Sequence, residues 1–258
     1  MNVSTLRRGA LVSLSAVMLA AAMLPAAPPP AELPEGAEIC DRYVEVTGGI
    51  EAWDRIENSK TLATIEMPAQ GIEMDITIWS ARPVKMYTLI ESPALGKMER
   101  GTDGEIVWEK SMMAGPAVKE GEERAQFLRE ARFASGIYWR ESWESAECAA
   151  VDTLDGEPCY KVILTPEEGD PRTVYYSVDT GLIRRVDSEI TTAMGKVPVK
   201  AWMEDYRETG GVMQEWKAVV DVLGQKRIIT TRSIEFDVDL EPGLFDPPDD
   251  VKALVDKE

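Results

Sequence analysis

The spacing of apolar residues divides the chain into a short helical stretch and a long series of strands. Near the start, three apolar side chains share helical spacing: Ile39, Tyr43 and Val46. They predict a helix over Glu38–Val46 that ends at Gly48-Gly49. A shorter helical turn is predicted over Ile50–Ile56. From Ser59 onward the apolar period changes to two, which predicts strands for most of the remaining chain.

The clearest strand lies between residues 72 and 78, where four apolar residues alternate with Glu73, Asp75 and Thr77. These four are Ile72, Met74, Ile76 and Ile78. A similar alternation follows at Val84, Met86, Thr88 and Ile90. Because side chains alternate along a strand and neighbouring strands share a face, we expect the apolar residues of both strands to lie on one side of a sheet.

Turn signals separate these strands along the whole chain. Asp155-Gly156, Asp179–Gly181 and Gly210-Gly211 each lie between two strand-like runs, as hairpin connections do. The pattern gives about eleven or twelve strands with few helices between them. It predicts a mainly β fold, an antiparallel sheet or barrel that is not built from βαβ units.

One segment, Lys110–Gly136, interrupts the strand pattern. It begins with a predicted loop over Ser111–Pro116 and continues as a predicted helix over Gly121–Ala134. With the first helix it is expected to cover one face of the sheet. Glycines near both ends would give it flexible points, so we predict that it is a movable lid.

The first 35 residues have the composition of an export signal and a linker. Arg7 and Arg8 precede the apolar run Gly9–Leu24, and small residues follow it. This pattern is typical of a secretory signal peptide. We predict a signal peptide over 1–22, a Pro-rich linker over 23–35 and the folded domain over 36–258. Cleavage after Ala22 is favoured over cleavage after Ala27, and the alternative to cleavage is an uncleaved membrane anchor. The predicted location is the periplasm.

The composition excludes several classes of function. The chain has no His, so Ser-His-Asp, Cys-His and His-zinc sites are excluded. It has 46 Asp+Glu against 28 Lys+Arg, which argues against nucleic acid as a partner. Asp103, Asp155 and Asp179 lie in Gly-containing turns, where Asp serves the backbone. Asp246–Asp250 lacks the ligand spacing of a calcium loop. No cofactor, metal or catalytic residue is predicted.

Three cysteines remain, and an exported protein can pair two of them. Cys148 and Cys159 flank the predicted turn at Asp155-Gly156. A two-residue turn would place Cys159 opposite Asp152, too far along the strand from Cys148 for a bridge. A bulge or a longer loop would remove that obstacle, so the sequence leaves this disulfide open.

Methionines are frequent on the predicted strand faces, where they adapt to varied apolar partners. Two short helices cover only part of a face this long. The rest is either packed core or a cavity for an apolar ligand. Trp108 is expected at the rim of such a cavity, with Phe127 and Leu128 closing it from the lid. The predicted ligand-binding residues are Ile72, Met74, Ile76, Ile78, Met86, Ile90, Trp108, Met112, Met113, Phe127 and Leu128.

Longer runs of the sequence resemble the LolA-like family of periplasmic lipoprotein and lipid carriers, most of all its outer membrane lipoprotein-sorting branch. The resemblance runs from about Ile39 to Val251. It depends on YVEVTGGIEAWDRI, on DGEPCYKVILTPEEGDPRTVYYSVDTGLIRRVD and on the ending EPGLFDPPDDV. It implies an open antiparallel β half-barrel of about eleven strands, with helices as a lid over an apolar concavity.

The resemblance also implies a function and its partners. It implies a soluble, monomeric carrier of a lipid or an acylated lipoprotein, with an envelope receptor protein as a second partner and no catalysis. An Arg that helps to close the lid is expected, with Arg42, Arg55 and Arg82 as candidates. One alternative is an envelope sensor or partner-binding domain with the same fold and a filled core. Another is an enzyme that uses carboxylates alone, such as a glycoside hydrolase.

Overall fold

The structure is a computed structural model that describes residues 32–192 and 195–255. The predicted signal peptide and most of the predicted linker, up to residue 31, lie outside the described residues. From Leu33 onward the chain forms one compact unit. Its main feature is a single antiparallel sheet.

The sheet has 13 strands in the order β6-β5-β4-β3-β2-β1-β13-β12-β11-β10-β9-β8-β7. Strands β1–β6 form one arm of the sheet and β7–β13 form the other. Within each arm every strand pairs with its neighbours in sequence, and β1 pairs with β13 to join the two arms. The arms end in β6 and β7, so the sheet is open. The strands are β1 Asn58–Met67, β2 Ile72–Ala81, β3 Lys85–Ser92, β4 Gly96–Thr102, β5 Val107–Ser111, β6 Gly115–Lys119, β7 Ser145–Leu154, β8 Glu157–Thr165, β9 Arg172–Ser177, β10 Ile183–Thr192, β11 Gly195–Thr209, β12 Val212–Val222 and β13 Gln225–Phe236.

The predicted fold class, a mainly β open antiparallel sheet with covering helices, is confirmed. The four α-helices are α1 Gly36–Val46, α2 Gly49–Trp53, α3 Gly121–Ala131 and α4 Asp249–Val255. A short 3₁₀ turn spans Trp139–Glu141.

Helix α1 packs on one arm of the sheet through its apolar face. Ile39, Cys40 and Val44 are buried there against a core formed with β8 and β9. Burying an Ile or Val side chain contributes about 1.5–3 kcal/mol, which fixes the helix on the sheet. Burial also raises the pKa of the Cys40 thiol to about 11.

The prediction that the whole of Lys110–Gly136 is outside the sheet is wrong. Residues Gly115–Lys119 form strand β6, which pairs with β5 across the turn at 112–114. Pro116 was predicted to lie in the loop. A proline is tolerated in β6 because an edge strand has a neighbour on one side only, so fewer of its backbone N–H groups are needed for pairing. Helix α3 is present but ends at Ala131 rather than Ala134.

All three cysteines are free thiols in the structure. The hairpin of β7 and β8 places Cys159 opposite Asp152, as the predicted two-residue turn requires. A bulge follows Cys148, but Cys148 pairs with Val162. The disulfide that the sequence left open is therefore not formed.

The C-terminal helix α4 was not predicted from the sequence. It packs on the β5–β6 arm, with Val251 fully buried and Lys110 Nζ 2.5 Å from Asp250 Oδ2. Among the described residues no group of side chains has the arrangement of a metal site. In that same part of the chain, no helix is long and apolar enough to cross a membrane.

Candidate ligand-binding cavity

A cavity of about 500 Å³ lies on one face of the sheet, which we call the inner face. Its floor is formed by six strands, and its roof is formed by residues 132–137, which follow α3. Tyr43 of α1 and Trp53 of α2 close one end. The volume is within the range of about 300–1,000 Å³ that is usual for small-molecule sites.

The floor is mainly apolar, and strand pairing explains why its residues share one face. Thr61 pairs with Ile78 across β1 and β2, and Met203 pairs with Ala218 across β11 and β12. Directly paired residues project to the same side of a sheet. The apolar floor residues are Ala63, Ile78, Met86, Ala201, Met203, Met213, Ala218, Val220, Ile229, Ile234 and Phe236.

The roof is a short non-helical segment with two buried apolar side chains, Phe133 and Ile137. The Phe133 amide donates a 3.1 Å hydrogen bond to the carbonyl oxygen of Pro83, in the β2–β3 turn. The roof is thereby tied to the sheet at the edge of the cavity. The predicted helix was expected to run to Ala134 and so to include part of this segment, and Phe133 and Ile137 were not among the predicted ligand-binding residues.

Arg82 is a polar link between the roof region and the C-terminal end of α2. Its guanidinium donates to the carbonyl oxygens of Trp53 and Ile56, both at 2.8 Å, and to the Tyr138 hydroxyl at 2.7 Å. It also lies over the rings of Phe133 and Tyr138, at 5.2 and 4.9 Å. Arg82 therefore fixes the position of the roof.

The other two Arg candidates have different surroundings. Arg42 donates to the backbone carbonyl oxygens of Val178 and Asp179 at 2.8 and 2.7 Å, which joins α1 to the β9–β10 turn. Arg55 lies in the turn after α2. Of the three, Arg82 is the one that contacts the roof.

Two of the predicted ligand-binding residues, Ile78 and Met86, line the cavity. Four others, Ile72, Met74, Ile76 and Ile90, belong to an apolar cluster that adjoins it. Met74 and Ile76 are buried there. Cluster and cavity are continuous, because three residues belong to both: Ala63, Ile78 and Ile229. The alternation in β2 and β3 therefore identified residues that lie together on the inner face.

Trp108 does not lie at the rim of the cavity, so that prediction is wrong. It pairs with Gly101, which pairs with Tyr87, and all three lie on the face opposite Ile78. The Trp108 side chain is 1 % exposed and its ring is 6.0 Å from that of Tyr87. A Cβ at Gly101 would lie 3.1 Å from the indole, so this glycine makes room for the ring. The indole N–H has no hydrogen-bond partner in the described part of the chain, contrary to prediction.

The remaining predicted ligand-binding residues also lie away from the cavity. Met112 and Met113 are 80 % and 88 % exposed at the β5–β6 turn, because that turn projects from the end of the sheet. Phe127 lies on α3 above β4, with Arg100 5.5 Å from its ring. Neither Phe127 nor Leu128 is among the lining residues, since Phe133 and Ile137 occupy that position.

Four charged residues line the cavity, and the sequence did not single out any of them. They are Glu130, Arg132, Glu215 and Lys217. Burial raises the pKa of the Glu215 carboxyl. Burial also raises the pKa of Tyr43 at the end of the cavity, and the charge of Glu215 adds to that effect. Glu215 and Tyr43 therefore form a polar end in a mainly apolar cavity.

Solved structures of similar fold match this chain over most of its length. A DUF1329 family protein from Desulfovibrio piger matches with a TM-score of 0.57 and 15 % identity, over 83 % of this chain and 98 % of that one. A LolA superfamily protein from Nitrosomonas europaea matches with a TM-score of 0.57 and 11 % identity, over 83 % and 99 %. The chain has the LolA-like fold.

A third structure extends this comparison. A domain from Vibrio parahaemolyticus, assigned to the outer membrane lipoprotein-sorting proteins, matches with a TM-score of 0.53 and 12 % identity, over 82 % and 96 % of the two chains. No family model and no curated protein matches the sequence. At these identities the LolA-like fold is what the chain shares with the three proteins, and its function is a separate question.

Proposed function

We propose that this chain is exported to the periplasm and carries a lipid or an acylated lipoprotein, with the acyl chain bound in the cavity on the inner face of the sheet. The observation that supports this most directly is the cavity of about 500 Å³ with its apolar floor. A pocket with apolar walls and a few polar groups is what an amphiphilic ligand requires.

Two further features support the proposal. The leader pattern over residues 1–22 favours export. The LolA-like fold is shared with a domain assigned to the outer membrane lipoprotein-sorting proteins. A carrier of this kind would hand its ligand to an envelope receptor protein and would need no cofactor or catalytic group.

The main alternative is a sensor or partner-binding domain whose inner face is filled core. The two hypotheses differ in whether the space between the roof and the floor is open or filled. Ile137 in the roof and Ala218 in the floor both line this space. A filled core would leave no room there for a ligand. Open volume of this size on an apolar floor favours the carrier.

The experiment is a fluorescence titration with an environment-sensitive acyl-chain probe, followed by competition with an unlabelled fatty acyl compound. The matched variants are Ala218→Trp, which places an indole in the cavity, and Ala94→Trp, which places one in an exposed turn. We expect saturable binding by the natural chain and by Ala94→Trp, and loss of binding by folded Ala218→Trp. Equal binding by all three, or by none, would contradict the proposal.

A further inference from the structure

Glu215 differs from the other charged residues of the cavity because it has no partner. Glu130 accepts hydrogen bonds from Gln126 and Arg172, and Arg132 pairs with Glu141. Lys217 Nζ lies 2.8 Å from Glu204 Oε2. Within residues 32–192 and 195–255, the Glu215 carboxylate has no ion pair and no side-chain hydrogen bond. Its own backbone amide donates the one hydrogen bond that lowers its pKa.

The position of Glu215 explains why this matters. Glu215 lines the cavity and is exposed to solvent, and the protein atoms around its carboxyl raise the pKa of this group. The cavity floor as a whole is mainly apolar, and Tyr43 lies at the same end of the cavity as Glu215. A carboxylate loses hydration in such surroundings, and the loss is recovered only through a donor or a cation.

A ligand that fills the cavity would remove the remaining water from Glu215. An acyl chain alone would leave the carboxylate unpaired, and an anionic head group would add repulsion. A protonated amine would instead form a charge-assisted hydrogen bond with it, which is among the stronger contacts in proteins. The cations nearest in sequence, Arg207 and Lys217, are already paired with Asp205 and Glu204.

We propose that the cavity selects amphiphiles that have a protonated amine, with the apolar chain on the floor and the ammonium group against Glu215. This inference rests on the proposed carrier function and specifies the chemical class of the ligand. Glu215 would be the residue that determines this specificity.

The test compares three amphiphiles with the same chain length: dodecylamine, dodecan-1-ol and dodecanoate. Each is titrated near neutral pH against the acyl-chain probe. The variants are Glu215→Gln, which keeps the shape and removes the charge, and Glu208→Gln, which changes the net charge equally at an exposed site on the same hairpin. Thermal melting checks that both variants are folded.

We expect the natural chain to bind dodecylamine at least about tenfold more tightly than the alcohol, which corresponds to about 1.4 kcal/mol. Glu215→Gln should lose this preference and Glu208→Gln should keep it. The three-ligand series with the natural chain tests the inference even if a variant fails to fold. Equal binding of all three ligands, or tightest binding of dodecanoate, would overturn the inference and leave the carrier function standing. Failure of every amphiphile to bind would overturn both.

Discussion

The substitution Met86→Glu distinguishes an open cavity from a filled core. Met86 is half-buried on the cavity floor, so its loss costs about 1 kcal/mol of apolar burial. A polar group that stays partly hydrated adds about 1–3 kcal/mol. The total of about 2–4 kcal/mol is less than the 5–15 kcal/mol by which typical domains are stable. We therefore expect the empty variant to remain folded.

The same change should greatly weaken ligand binding. An acyl chain on the floor would have to strip water from the new carboxylate, at about 3 kcal/mol, which corresponds to about 100-fold weaker binding. The assay combines thermal melting and acyl-probe titration on one sample. The control is Met113→Glu at the exposed β5–β6 turn, which should change neither result. Unfolding of ligand-free Met86→Glu, or probe binding as tight as that of the natural chain, would refute the reasoning.

Four other predictions follow from the sequence and the structure. Mass determination of the exported protein should give a chain that lacks residues 1–22, whereas a full-length chain held in the membrane would contradict export. Backbone amides of α3 should exchange with solvent faster than those of β2 if the helix moves as a lid, and equal protection would count against this. Arg82→Met should lower the free energy of unfolding in urea by about 3 kcal/mol, because three hydrogen bonds are lost, and Arg82→Lys should restore only part of it. Because the folded protein raises the pKa of Glu215, the stability linked to this group is present at low pH and is lost as pH rises through that pKa. Glu215→Gln should therefore raise the melting temperature at about pH 8 and change it little at about pH 4, below the unfolded pKa; the opposite order would be inconsistent with a raised pKa.

The parts of the site that the sequence predicts are those with regular alternation. In β2, the apolar residues at even positions alternate with polar ones, so the inner face follows from local pattern alone. Ile106-Val107-Trp108 is a run of three apolar residues, for which alternation gives no face. The pairing of Trp108 with Gly101 decides on which face of the sheet Trp108 lies, and this register is a property of the two paired strands together.

The rest of the site could not be predicted from the sequence because its backbone is irregular. Asp205 in β11 has a φ of 53°, in the left-handed region, and it lies in the stretch of β11 that runs beside Glu215 and Trp216. Alternation from Ala218 along β12 therefore does not predict that Glu215 faces the cavity. The apolar residues of the roof at 132–137 follow neither a helical nor a strand period. Tertiary contacts such as those of Arg82 determine the position of this segment. Such contacts between distant parts of the chain have no local sequence signal.

The most direct test of the carrier account is native mass spectrometry of the protein recovered from the periplasm of its host. The account predicts an added mass that matches an acylated molecule and dissociates on activation. Ala218→Trp, prepared in the same way, should show only the mass of the polypeptide. A natural chain that is recovered without any added mass, and that takes up no lipid when mixed with vesicles, would contradict the account.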